Sequence, residues 1–188
     1  MTKTKETQLA SMQKELLKEL GVLNIHTLPR VEKVIVNTGM GRMSQQASFQ
    51  DKLLPEILKE LSVITGQKPS QRPAKKSIAG FKLREGQTIG AQVTLRGKRM
   101  YDFIYKVAHM VMPRLRDFRG ISLKNVDQGG NLNIGFRDQV VFPEIHQDTS
   151  MVDFGLQVTI VVNAKNREHA IALYRKLGIP FKKEEDKK

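Results

Sequence analysis

The sequence contains no cysteine and no tryptophan among its 188 residues. Without cysteine the chain can form no disulfide, no thiolate nucleophile and no cysteine-ligated zinc site, a composition that fits an intracellular, cytoplasmic protein. Long hydrophobic runs are absent as well. The longest apolar-rich stretch, residues 103–112, contains Lys106 and His109 and is too short to span a bilayer. The charged residues 1–6 are followed by no apolar block, so no signal peptide is expected.

Charge of one sign is concentrated in one part of the chain. Residues 68–119 carry three acids, Glu85, Asp102 and Asp117. The same stretch carries thirteen bases: Lys68, Arg72, Lys75, Lys76, Lys82, Arg84, Arg96, Lys98, Arg99, Lys106, Arg114, Arg116 and Arg119. It therefore supplies +10 of the net charge of +13. A local positive field of this size attracts a polyanion, which favours nucleic acid as the partner, with an anionic membrane surface as the competing interpretation.

Hydrophobic periodicity predicts interleaved helices and strands. Helices are expected at residues 9–20, 53–65, 98–112 and 166–177, and strands at residues 31–37, 89–95, 132–136 and 158–162. Residues 66–73 contain two prolines and allow only a short or edge strand. This order predicts a single α+β domain over residues 1–181, with a mostly antiparallel or mixed sheet and helices packed on one face. Residues 182–188 are expected to form a charged flexible tail.

Two surfaces of this predicted domain are candidates for binding. The sheet face away from the helices is expected to carry polar side chains: Asn37, Gln92 or Thr94, and Gln157 or Thr159. Residues 74–87 are predicted to form a long basic loop without regular structure, fixed by the apolar side chains of Ile78, Phe81 and Leu83. Since aromatic residues make up only 6% of the chain, we expect recognition of folded RNA by shape and backbone contacts more than by stacking.

Signals for catalysis are weak. Gly39, Gly41 and Ser44 follow a predicted strand but lack the third glycine and the acidic residue of a dinucleotide site. His146 has Glu144 and Asp148 nearby, yet no second histidine stands at ligand spacing. We therefore expect no catalytic residue, no metal and no cofactor. There are two alternatives. One is an RNA-processing hydrolase that uses Asp138, Glu144, His146 and Asp148, and the other is an electrostatic membrane-surface adaptor.

Several strings in the same order resemble one family, the bacterial type of large-subunit ribosomal protein L-five. They are residues 33–39 (KVIVNTG), 64–69 (ITGQKP), 74–86 (AKKSIAGFKLREG), 93–97 (VTLRG), 113–120 (PRLRDFRG) and 141–145 (VFPEI). The resemblance extends over about residues 10 to 181. The sequence departs from the family's pattern at residues 127–132 and 154–157, so the contacts that the family makes there are not carried over.

The resemblance implies a ribosome-bound, non-enzymatic protein of the central protuberance that binds 5S rRNA through its sheet. By matching motifs, the residues that would contact 5S rRNA are Lys33, Asn37, Gln67, Thr94 and Arg96. The basic loop would touch the elbow of tRNA in the peptidyl site through Lys75, Lys76, Ser77, Lys82 and Arg84. Other implied partners are the remaining large-subunit rRNA and proteins of the central protuberance, and a small-subunit head protein across an intersubunit bridge. No membrane is implied.

Overall fold

The computed structural model describes residues 15–17, 19–21, 24–46, 48–116, 118–147, 150 and 152–182. Its five strands are β1 (Arg30–Gly39), β2 (Ser70–Pro73), β3 (Thr88–Leu95), β4 (Leu132–Phe136) and β5 (Leu156–Asn163). They form one sheet in the order β2-β3-β1-β5-β4, with every neighbouring pair antiparallel. The helices are α1 (Leu54–Thr65), α2 (Gly97–Lys106) and α3 (Arg167–Lys176). This confirms the predicted α+β class and antiparallel sheet.

Helix α1 ends where its sequence predicts, and a π-helical turn, Phe49–Leu53, leads directly into it. Pro55 lies in the first turn of α1. The helix ends at Gly66, which adopts the left-handed conformation at φ 65° and donates its N–H to the carbonyl of Ser62. Ile57, Leu61 and Ile64 are buried along one stripe. That stripe packs the helix onto the sheet.

The hydrophobic core lies between the three helices and one face of the sheet. Alternate residues of β1, such as Val34 and Val36, are fully buried, and so are Ala91 and Leu95 of β3. The residues between them point to the other face and stay half-buried or exposed. Because side chains alternate along a strand, this arrangement leaves one polar sheet face outside the core.

The predicted third helix changes its geometry along its length. Helix α2 is followed by a π-helical turn, Val107–Val111, and a 3-10 turn, Met112–Arg114. The residues expected to face inward are buried as predicted: Met100, Phe103, Ile104, Val107 and Val111. Helical conformation continues through Pro113 and stops at Leu115, whose backbone is extended.

Helix α3 is fixed to the turn that precedes β4. The Tyr174 hydroxyl lies within hydrogen-bond distance of the carbonyl oxygens of Gly130, at 2.8 Å, and Ile160, at 3.1 Å. Burial raises the pKa of this phenol. Gly130 has φ 83°, and a Cβ there would lie 2.8 Å from the Cβ of Ala170. The turn and the helix therefore approach at a distance that only glycine permits.

The two ends of the chain are described in part. Residues 15–17, 19 and 20 are helical and Gly21 has φ 62°, as the first predicted helix requires, whereas Leu9 and Met12 lie outside the described residues. Asn166 occupies the predicted N-cap position of α3, but its side chain makes no capping hydrogen bond. Residues 183–188 of the predicted tail also lie outside the described residues. No helix in the described part of the chain has the length and apolar content needed to cross a membrane.

Candidate nucleic-acid interface

The polar face of the sheet carries a continuous cross-strand row, which we call the central row. Strand register places Asn37 of β1 opposite Gln92 of β3 on one side and Gln157 of β5 on the other. Ser70 of β2 and Gly135 of β4 complete it at the two edges. The row contains no charged residue. Its amides and hydroxyl can act as donors and acceptors together, which a lysine cannot.

A second row lies beside the central row. It runs through Asn133, Thr159, Ile35 and Thr94. The amide oxygen of Asn133 accepts a hydrogen bond from the Thr159 hydroxyl at 2.7 Å and one from the Gln157 side-chain nitrogen at 3.4 Å. Because that oxygen already accepts two hydrogen bonds from neighbouring side chains, the side-chain nitrogen of Asn133 is the group that it can offer to a ligand.

An arginine orients one amide of the central row. The Arg72 Nε donates to the side-chain oxygen of Gln92 at 2.9 Å, linking the edge strand β2 to β3. This bond fixes which end of the Gln92 amide is occupied. The remaining guanidinium nitrogens supply positive charge at the β2 edge, beside the uncharged central row.

The structure brings most of the predicted sheet residues onto the polar face. Asn37 is exposed at its centre, and Thr94 and Lys33 are half-buried on the same side. Arg96 directly follows β3 in extended backbone and is exposed, on the side that alternation assigns to Thr94. Gln67 differs, because it lies in the connection between α1 and β2, where its backbone oxygen accepts from the Thr65 hydroxyl at 3.1 Å.

Sequence reasoning misses several binding candidates on this face, among them Arg72, Gln157 and Asn133. The sequence marks Arg72 only as part of the charged stretch, and it offers Gln157, like Gln92, only as one of two alternatives. Asn133 receives no assignment. The alternation of Leu132, Asn133 and Ile134 would have placed Asn133 outward, but its partner on β5 depends on strand register, which the sequence did not supply.

The basic loop connects β2 to β3 without a strand or an α-helix, as predicted, and backbone hydrogen bonds brace it as an extension of the β2–β3 hairpin. Ala74 donates its N–H to the carbonyl of Gln87 at 2.8 Å. Ile78 and Leu83 exchange two backbone hydrogen bonds, at 3.0 and 3.1 Å. Residues Ala79–Phe81 form a 3-10 turn at the tip. Gly86, at φ 82°, supplies the left-handed turn that returns the chain to β3.

The predicted loop residues are all exposed on this extension. They are Lys75, Lys76, Ser77, Lys82 and Arg84. Ser77 also has an internal role, because its hydroxyl accepts the Glu85 N–H at 2.9 Å across the loop. The four cations therefore lie along a braced hairpin.

The prediction that apolar side chains fix the loop was wrong for two of the three. Phe81 is 70% exposed and Ile78 is 46% exposed, while Leu83 is half-buried. Two glutamine side chains hold the loop instead. Gln45 donates to the Phe81 carbonyl at 3.0 Å, and Gln87 donates to the Ser44 carbonyl at 2.7 Å. Sequence reasoning missed both bonds because they join residues far apart in the chain.

One base of the charged stretch is structural. The Lys106 ammonium contacts the Glu144 carboxylate at 2.7 Å and donates to the Ile64 carbonyl at 2.6 Å. It also lies 5.2 Å from the Phe103 ring centroid and 5.9 Å from that of Phe142. Lys106 therefore stabilises the packing of α2 rather than adding to an accessible patch.

The same ion pair bears on the hydrolase alternative. The hydrolase would depend on the Glu144 carboxylate, which already forms an ion pair with Lys106. Asp148, another of its residues, lies outside the described residues. Within the described part of the chain, no group of three or more His, Cys, Asp or Glu is placed to hold a metal ion. The Gly39 to Ser44 segment is a turn in which the buried Ser44 hydroxyl donates to the Gly41 carbonyl at 2.8 Å.

Comparison with known proteins places the chain in one family. The family described as "Ribosomal protein L5" matches residues 24–84, and the model of the C-terminus of the same ribosomal family matches residues 88–181. The chain is 49% identical to the large ribosomal subunit protein uL5 of Halothermothrix orenii over 158 residues, 84% of this chain and 86% of the relative. It is 46% identical to the large ribosomal subunit protein uL5c of Paulinella chromatophora over 178 residues, 95% and 97% of the two chains. With identity of this level over nearly the whole length, the chain belongs to the ribosomal protein L5 family.

Proposed function

We propose that this protein is a structural constituent of the large ribosomal subunit that binds 5S rRNA through its polar sheet face. The basic loop contacts tRNA in the peptidyl site. Membership of the family and the printed names of its relatives support the first part. The polar sheet face and the basic loop are separate surfaces, which supports separate contacts with rRNA and with tRNA.

The central row is the observation that carries the 5S rRNA assignment. Four strand spacings of about 4.8 Å give the row a width of roughly 19 Å, enough to face several nucleotides. Its side chains are amides and a hydroxyl, with Asn37 at the centre. Such groups bond to 2′-hydroxyls and base edges exposed in the wide, shallow minor groove of an RNA helix. A continuous row of uncharged donors and acceptors suits recognition of RNA shape.

Charged residues at the border of the face would supply phosphate contacts. In this proposal Lys33 and Arg96 neutralise phosphates beside the row, while Asn37, Gln67 and Thr94 address sugars and base edges. Phosphate contacts position RNA without reading its sequence, and hydrogen bonds from the face add selectivity. We extend the contact set to Arg72, Asn133 and Gln157, which share the face.

The basic loop carries the tRNA assignment. Its cations Lys75, Lys76, Lys82 and Arg84 are exposed on a hairpin that extends beyond the sheet, so they can reach an RNA other than the one on the polar face. Ser77 contributes by bracing the hairpin and by its exposed position. A braced hairpin loses less conformational entropy on binding than a flexible loop.

Further contacts complete the proposal. The protein would lie in the central protuberance beside other large-subunit rRNA and proteins, and would contact a small-subunit head protein across an intersubunit bridge. The membrane alternative is less well supported, because the cations lie on a hairpin and not on an amphipathic helix.

Competition binding tests the proposal. The purified protein is titrated with 5S rRNA, a tRNA transcript and a scrambled RNA of 5S length at increasing salt. Phosphate contacts weaken with salt for all three RNAs, whereas a shaped site retains a preference for 5S rRNA. Equal and equally salt-sensitive binding to all three would contradict the assignment of the polar face.

A further inference from the structure

The tip of the basic loop exposes an aromatic ring among cations. Phe81 is 70% exposed, more than any of the other large exposed hydrophobic side chains in the described part of the chain. Ile78, at the same tip, is 46% exposed. Water contact with a phenyl ring is unfavourable, so an apolar tip of this kind indicates a contact that covers it.

The backbone holds Phe81 in this exposed position from both sides. Its carbonyl accepts the Gln45 side-chain hydrogen bond at 3.0 Å. The next residue, Lys82, has φ 50°, and is the one non-glycine residue with positive φ in the described part of the chain. Lys82 donates its N–H to Ala79 at 3.0 Å, which closes the turn. A residue with a Cβ atom disfavours this left-handed conformation, so the surrounding hydrogen bonds must maintain it.

The surroundings of the ring identify the kind of partner. Lys75, Lys76, Lys82 and Arg84 lie on the same hairpin, against the single acid Glu85. Complementarity to these charges requires a polyanion, and complementarity to the ring requires a flat apolar surface. RNA offers both, because every base has a π face beside its phosphates.

We propose that Phe81 stacks on an exposed base face of the RNA that the basic loop binds. The loop would then recognise RNA by a ring and by phosphates together, with the ring selecting a site where a base or terminal base pair is open to solvent. This inference rests on the proposed tRNA contact of the loop, and it adds a contact that charge alone does not provide.

The absence of tryptophan allows a direct test. Phe81→Trp introduces a single fluorophore at the tip, and Tyr105→Trp introduces one at an exposed position on α2 as the matched control. Each variant is titrated with a tRNA transcript, with inorganic polyphosphate, which has charge but no bases, and with anionic lipid vesicles. Affinity for tRNA is measured in parallel for Phe81→Ala and Phe81→Leu.

Stacking predicts that tRNA quenches the emission of Phe81→Trp, whereas polyphosphate at saturation does not, and that Tyr105→Trp responds to neither. Phe81→Ala and Phe81→Leu should bind tRNA about 5- to 150-fold more weakly, with an unchanged salt dependence, and Phe81→Trp should bind as the natural protein does.

Other outcomes separate the inference from the proposed function. Identical emission with tRNA and polyphosphate, or full tRNA affinity in Phe81→Ala, would overturn stacking, while loss of tRNA affinity in Lys75→Ala/Lys82→Ala would still support the loop's role. Unchanged tRNA affinity in that double variant would contradict the role of the loop and the stacking together. A blue shift with vesicles and no quenching by tRNA would assign the tip to a membrane surface and overturn the inference.

Discussion

The side chain of Gln87 donates a hydrogen bond to the backbone oxygen of Ser44 over 2.7 Å and ties the base of the basic loop to the segment after β1. A second amide, that of Gln45, holds the tip through the Phe81 carbonyl. The loop thus depends on two side-chain bonds to one short segment, and its geometry can be loosened without removing any of its cations.

Gln87→Ala should weaken tRNA binding several-fold and leave 5S rRNA affinity unchanged. The substitution removes two hydrogen bonds, because the Gln87 side-chain oxygen also accepts the Arg84 N–H at 3.3 Å. Each contributes about 0.5–1.5 kcal/mol, and their loss lets the loop sample other conformations. Hydrogen exchange at the Leu83 amide should become faster. Gln46→Ala, at an exposed neighbouring position, serves as the control. Unchanged exchange in Gln87→Ala would contradict this role.

Lys106→Met should lower the free energy of unfolding by about 1–3 kcal/mol, because the Glu144 carboxylate loses its ion pair and the part-buried Ile64 carbonyl loses a donor. The methionine keeps most of the apolar stem over the two phenyl rings. Urea denaturation measures the change, with Lys98→Met on the exposed side of α2 as the control. Equal stabilities of the two variants would show that the pair is not structural.

Gly130→Ala should destabilise the fold by about 2–4 kcal/mol, since the new methyl group meets Ala170 at 2.8 Å and φ 83° disfavours a side chain. Gly135 provides the matched control, because nothing lies within 4 Å of a Cβ built there. Thermal denaturation of both variants compares them. A Gly130→Ala protein as stable as Gly135→Ala would contradict the close approach of α3.

Glu60 should make stability depend on pH. Burial raises the pKa of its carboxyl above 4.5, while hydrogen bonds with Ser150 and Gln139 act in the opposite direction. The folded state therefore holds the proton more tightly than the unfolded state, and the resulting stability is complete below pH 4.5 and is lost as pH rises through the folded pKa.

Glu60→Gln stays neutral and should become more stable relative to the natural protein as pH rises above 4.5. Urea denaturation from about pH 4.5 to about pH 7.5 measures this difference, with Glu32→Gln as an exposed carboxylate control. A difference that does not change with pH would refute the assignment to the Glu60 carboxyl.

The regular elements could be predicted because their signals are local. Alternation in β3 and β5, the 3.6-residue period of α1 and the glycine at position 66 each act within a few residues. The string 74–86 also identified the family, and with it a non-enzymatic ribosomal protein, which the comparisons confirm.

The errors came from contacts between distant parts of the chain. The apolar character of Phe81 predicts that its ring helps to fix the loop, yet the ring is 70% exposed, and the amides of Gln45 and Gln87 fix the loop instead. Lys106 was counted as accessible charge because its partner Glu144 is 38 positions away. Hydrophobicity and composition carry no signal for such pairs.

The affinity of 5S rRNA for two variants tests the central claim most directly. Asn37→Ala alters the centre of the polar face, and Lys75→Ala/Lys82→Ala removes two loop cations. The account predicts that Asn37→Ala weakens 5S binding by about 1–3 kcal/mol, roughly 5- to 150-fold, whereas the double variant keeps nearly its full affinity. Full affinity in Asn37→Ala with a large loss in the loop variant would contradict the account and move 5S rRNA from the sheet to the loop.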